Sequence, residues 1–107
     1  MSRSILVEYE IYLPLRYNNG RPIPRNYLKT VFREIAERFG GESHNFIDKI
    51  QGRERVGRVE PFCRVWVHAN NSLANDKWFR QYKGILKKRF KQREIYITKK
   101  WFHLTIF

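Results

Sequence analysis

Residues 83–100, KGILKKRFKQREIYITKK, change period halfway along. Up to Phe90 the apolar residues Ile85, Leu86 and Phe90 keep helical spacing. From Arg93 onward Ile95 and Ile97 alternate with Glu94, Tyr96 and Thr98, the period of a strand. The stretch therefore predicts the end of a helix followed by a strand over 93–98. Its eight Lys or Arg, set against a single Glu, are carried by ordered elements and not by a floppy basic tail.

The same reading extends upstream. Trp78, Phe79, Tyr82, Ile85, Leu86 and Phe90 form one apolar face of a helix ending near Phe90, with Asn70, Asn71, Ser72, Asn75 and Asp76 as possible caps. Before it, EPFCRVWVHA (60–69) alternates as a strand, with Cys63, Val65, Val67 and Ala69 on one side and Phe62, Arg64, Trp66 and His68 on the other. SHNFIDKI (43–50) reads as a short strand and QGRERVG as the turn or hairpin loop after it. In PRNYLKTVFREIAERFGG, the residues Tyr27, Leu28, Val31, Phe32, Ile35 and Phe39 make an apolar stripe, predicting a helix from about 24 to 39. Pro24 suits its first turn, and Gly40 suits a left-handed residue closing it. SILVEYEIYL (4–13) is a half-buried strand with Ile5, Val7, Tyr9, Ile11 and Leu13 on one face, and YNNGRPIP (17–24) is turn chemistry.

The order is β-α-β-β-α-β. Each half carries a helix ending in Arg-Phe (38–39 and 89–90), which suggests a pseudo-duplicated plan. The simplest packing is a single ferredoxin-like α+β domain over residues 1–107, a four-stranded antiparallel sheet with two helices on one face. The chain of 107 residues, with 16% aromatic side chains, has material for one core.

The last third resembles a family of small bacterial ferredoxin-like proteins of about this length. The motifs that carry the likeness are Tyr12-Leu13-Pro14 at the end of the first strand, Glu37 to Gly41 (ERFGG), and Leu86 to Thr98 in the pattern LK-x-RF-x-Q-x-EI-x-IT. Ile50-Gln51-Gly52 resembles the family's middle motif, although the tryptophan that follows it in the family is absent here. The resemblance implies the fold and no particular activity.

Charge points to a partner class. The formal net charge of +12 is concentrated late, with residues 1–76 carrying +3 and residues 77–107 carrying +9. So strong a field favours acidic partners. At about 100° per residue, Lys77, Arg80, Lys83, Lys87, Lys88 and Lys91 fall within an arc of roughly 140° opposite the apolar face. Arg89 projects to the apolar side, to snorkel or to pair internally. The first helix is an internal control, because it balances Arg25, Lys29, Arg33 and Arg38 with Glu34 and Glu37. The expectation is a basic ridge that binds the phosphate backbone of DNA or RNA, with Lys99 and Lys100 nearby. Arg16, Arg21 and Arg25 in the first loop are secondary contacts. A solubilising surface with no partner is the plainer alternative, and an acidic protein partner is another. A lipid surface fits less well, since the helix needs its apolar face for the core.

The sheet face away from the helices is the second candidate, with Tyr12, Arg64, Trp66, His68 and Tyr96. RNA-recognition motifs share this element order and stack bases on such a face. PFCRVWV, however, lacks their glycine-aromatic run, and Glu8 and Glu10 on the first strand oppose phosphate. A homodimer interface is the better reading, with Glu and Arg matched across a two-fold axis.

Catalysis has little to stand on. His44, His68, His103 and Cys63 lack metal-ligand spacing. Glu8, Glu10 and Asp48 leave a metal-dependent nuclease as a remote alternative. No phosphate-binding glycine loop or nucleophile elbow is present, and no catalytic residue, metal or cofactor is expected. One cysteine permits no intrachain disulfide, Glu8 and Glu10 break any signal-like run, and no segment is apolar for long enough to span a membrane. A cytoplasmic accessory to a larger nucleic-acid enzyme, or a small regulator, is the expected role.

Overall fold

The computed structural model describes residues 6–40, 46–56 and 58–101, with side chains described outside 46–61. The elements are β1 (Leu6–Pro14), α1 (Arg25–Phe39), β2 (Phe46–Val56), β3 (Arg58–Asn70), α2 (Leu73–Arg89) and β4 (Ile97–Trp101). The fold is α+β, two helices against an antiparallel sheet. At its centre β1 pairs with β3 on one side and β4 on the other, and the backbone of β2 runs antiparallel along the far edge of β3.

Register decides which face is buried. Val7↔Ala69, Tyr9↔Val67, Ile11↔Val65 and Leu13↔Cys63 are cross-strand pairs, and all eight side chains are buried. Both helices meet this face. Leu28, Val31, Ile35 and Phe39 of α1 and Phe79, Tyr82 and Leu86 of α2, followed by Phe90, complete one core with the strands. An aromatic seam ties the layers. The Phe79 ring stacks on Tyr9 at 4.1 Å and lies 5.4 Å from Phe39, while Trp78 stacks on Tyr82 at 4.5 Å.

Several expectations are corrected. The last strand starts at Ile97 and runs to Trp101, leaving residues 93–96 outside it. Only one backbone bond from that segment reaches β1 among the described residues, Tyr12 N–H to the Tyr96 carbonyl at 3.0 Å. The segment 51–56, expected as turn, is extended and pairs with 58–63. Ile85 is 48% exposed, at the margin of the apolar face and not within it.

Gly40 is right-handed (φ −72°), so it does not close α1 as expected. The left-handed closing residue belongs to α2, and it is Lys91 (φ 52°). Lys91 N–H donates to the Lys88 carbonyl at 3.2 Å and Gln92 N–H to the Lys87 carbonyl at 2.9 Å. These are the two bonds of a Schellman motif, which normally carries glycine at this position. The residues before Leu6, 41–45, Gly57 and those after Trp101 lie outside the described set, and with them the expectations for His44, His103 and the aromatic tail.

Candidate nucleic-acid interface

The helix that carries the ridge is well anchored at both ends. Ser72 caps α2, its Oγ accepting from Asn75 N–H at 3.1 Å, and Asp76 supplies a carboxylate to the positive end of the helix dipole. At the other end Lys87, Lys88 and Arg89 sit where the dipole favours cations. On the inner flank Arg89 places both terminal nitrogens on the Glu34 carboxylate of α1, one at 3.1 Å, and the Tyr82 hydroxyl donates to the same carboxylate at 3.0 Å. Of the two outcomes that its position on the helix leaves open, Arg89 takes internal pairing. The Arg89 hydrogen bonds outweigh burial and hold the Glu34 carboxyl below its usual range. Burial first, then the charge of Glu34, pushes the Tyr82 phenol up.

The eight predicted ridge cations divide into two groups. Lys77, Arg80, Lys88 and Lys91 are exposed and Lys87 is half-buried. None of these five makes an ion pair among the described residues, although Arg80 helps to lower the Asp76 carboxyl and Lys87 that of Glu94. The other three are engaged. Lys83 Nζ meets Glu94 Oε1 at 2.7 Å. Lys99 Nζ lies 3.0 Å from both Asp76 oxygens, and Lys100 Nζ is 3.0 Å from Glu8 Oε2.

The carboxylates respond accordingly. Asp76 is lowered by the Tyr9 hydroxyl, which donates at 2.6 Å, and then by Lys99. Glu94 is lowered by Lys83, and Lys100 is raised by Glu8. Sequence reasoning missed Asp76 and Glu94 as the acids that spend part of the ridge's charge. Neither is a helical neighbour of its lysine partner, so no local spacing signals the pair.

The first loop joins the ridge at its C-terminal end. Lys91 Nζ sits over the Tyr17 ring, 5.7 Å from its centroid. The loop folds on itself through Tyr17 N–H to the Arg21 carbonyl at 2.8 Å, with Gly20 at φ 87° supplying the left-handed turn residue. Arg16 turns back to the Gly20 carbonyl at 2.9 Å, while Arg21 and Arg25 stay exposed.

The opposite sheet face gathers the second predicted set. Tyr12↔Arg64, Glu10↔Trp66 and Glu8↔His68 are cross-strand pairs of β1 and β3, and Tyr96 lies beside Tyr12 through their shared backbone bond. The Arg64 guanidinium pairs with Glu10 and lies over the rings of Tyr12 (5.2 Å) and Trp66 (5.0 Å). His68 Nε2 is 3.0 Å from Glu8 Oε1. Burial alone would raise the Glu8 carboxyl, but His68 and Lys100 outweigh it and hold it low. Glu10 is only 4% exposed. The two glutamates expected to repel phosphate therefore stand neutralised by neighbours. Cys63 is buried in the core, as its strand position predicts.

Between α2 and β4 lies a groove of about 410 Å³, floored by Phe79 and bordered by Asp76, Arg80, Lys83, Ile97 and Lys99. Among the described residues no three His, Cys, Asp or Glu side chains cluster as metal ligands, and no helix is long and apolar enough to cross a membrane. No family model, curated protein or solved structure matches this chain.

Proposed function

We propose that this chain is a ferredoxin-like domain that binds nucleic acid by its phosphates along the outer face of α2. The supporting observation is the grouping of Lys77, Arg80, Lys87 and Lys88 on α2, with Lys91 just past its end, none of them ion-paired among the described residues. On α1, by contrast, Arg33 and Glu37 pair across one turn. Cations fixed on a helix neutralise phosphate and release counterions, giving salt-sensitive affinity with little sequence readout.

Lys91 adds a second line of support. Glycine would relieve its left-handed backbone, yet the position carries a cation at the ridge's end. Arg21 in the loop and Arg25 at the start of α1 extend the same track. Lys83, Lys99 and Lys100 contribute less, because each already faces a carboxylate.

The domain works as a homodimer through the sheet face of Tyr12, Arg64, Trp66, His68 and Tyr96, as an accessory to a larger nucleic-acid enzyme or as a small regulator. Tyr96, 67% exposed, and half-buried Trp66 give that face its apolar surface. The β-α-β-β-α-β order is also what the likeness to small bacterial ferredoxin-like proteins implies. A nuclease finds no such support, since Glu8 and Glu10 are closed off by His68, Lys100 and Arg64. Fluorescence anisotropy with labelled single- and double-stranded oligonucleotides tests the reading: binding at low salt that weakens steeply at moderate salt supports it, and no binding at low salt refutes it.

A further inference from the structure

β4 is one of the two edge strands of the sheet, and among the described residues nothing pairs with its far edge. The Tyr12 N–H to Tyr96 carbonyl bond fixes the phase of its ladder with β1. In an antiparallel pair, hydrogen-bonded and non-hydrogen-bonded residue pairs alternate. Glu10↔Thr98 and Glu8↔Lys100 are then the bonded pairs, and Ile97, Lys99 and Trp101 turn N–H and C=O outward. The same three residues project their side chains to the helix side, where the groove under α2 lies. This edge therefore offers an alternating row of backbone donors and acceptors beside a cavity.

The chemistry of the groove selects the occupant. Its border holds three cations, Arg80, Lys83 and Lys99, and one carboxylate, Asp76, bound by Lys99 and Tyr9; Lys83 reaches Glu94 outside the groove, and Arg80 makes no ion pair among the described residues. A second copy of β4 paired antiparallel would crowd Lys99 and Lys100 of both copies along the seam, and lysines on an edge strand act against such self-pairing. A nucleic-acid backbone carries phosphates but no alternating N–H and C=O. An extended protein segment with acidic side chains at alternate positions satisfies the edge and the charges together.

We infer that β4 is a docking edge for an acidic, extended segment of a partner protein, which adds as a fifth strand and places carboxylates against Arg80 and, in competition with Glu94, against Lys83. Trp101, 66% exposed at the end of the strand, supplies an apolar contact for the segment's terminus. This goes beyond the nucleic-acid reading and shares only Arg80 with its unpaired ridge cations. Lys77, Lys88 and Lys91 do not border the groove, so either reading can fail alone.

The test uses the full chain and a labelled peptide in which Thr and Glu alternate. Saturable binding is expected, at least about tenfold weaker for a peptide of the same composition with its acids in one block. Arg80→Gln with Lys83→Gln weakens it to a similar degree. Amide hydrogen exchange at Ile97, Lys99 and Trp101 slows on peptide addition, while Thr98 and Lys100, already bonded to β1, do not change. N-methylation of one alternate set of peptide amides abolishes binding, and methylation of the other set leaves it intact. Equal binding of the blocked-charge peptide, or no new protection at those three amides, overturns the inference. So does an oligonucleotide that slows the same three amides.

Discussion

Glu34 on α1 holds both terminal nitrogens of Arg89 on α2, and the Tyr82 hydroxyl completes the contact. This clamp ties the basic helix to its acid-balanced neighbour and fixes the direction in which the ridge faces. Glu34→Gln keeps the shape but loses the charge, so it costs about 1–2 kcal/mol of stability, in the range of a charged hydrogen bond that is part-exposed. Thermal or urea unfolding measures it, and oligonucleotide binding at low salt stays near wild type.

Acid should loosen the same clamp. The folded Glu34 carboxyl lies below its ordinary value of 4.5, held there by Arg89 against burial. Its contribution is then complete above about pH 4.5 and is lost as pH falls through the depressed value. Glu8 and Asp76 shift in the same direction and add to the loss. Stability measured from pH 6 down to pH 2 is flat at first and then falls, and Glu34→Gln shows a shallower fall.

On the far face, Glu10 and Arg64 are unequal partners. Glu10 is buried, whereas the Arg64 side chain keeps 30% exposure and lies over two rings. Arg64→Leu strands a buried carboxylate and costs about 3 kcal/mol. Glu10→Gln leaves a cation that still meets water and aromatic faces, and costs less, about 1 kcal/mol. Equal losses in urea unfolding would mean that the burial of Glu10 does not govern this pair.

Lys91 separates stability from function. Lys91→Gly removes a left-handed lysine from the Schellman position and raises stability by about 0.5–1 kcal/mol, net of the lost contact with Tyr17. The same change removes one ridge cation, so nucleic-acid affinity at low salt falls. A variant both more stable and weaker in binding is the expected result of paired melting and anisotropy measurements.

Much of this architecture is legible in the sequence because it rests on local periodicity. Val7, Tyr9, Ile11 and Leu13 of β1, Cys63, Val65, Val67 and Ala69 of β3, Leu28, Val31, Ile35 and Phe39 of α1 and Phe79, Tyr82 and Leu86 of α2 take the burial that their spacing implies. What escapes is set by long-range geometry. Lys83 meets Glu94 where the chain after α2 turns back, Lys99 meets Asp76 where β4 packs beside α2, and Lys100 meets Glu8 across the β1–β4 pair, and no local spacing rule anticipates those pairs. The closing residue of each helix escapes for a similar reason. Gly40 carries the expected residue type but a right-handed backbone, while Lys91 adopts the left-handed one against its propensity. Ile85 lies so near the border of the apolar face that packing, not period, decides its exposure.

The ridge itself is tested most directly by the salt dependence of oligonucleotide binding. Log affinity plotted against log salt has a slope set by the number of phosphates neutralised, about 0.7–0.9 per contact. Replacing Lys77, Lys88 and Lys91 together by Gln should flatten that slope by about two to three, whereas Lys99→Gln with Lys100→Gln should change it by less than one. Wild-type slope in the triple variant, or a larger effect from Lys99 and Lys100, would contradict a phosphate-binding role for the outer face of α2.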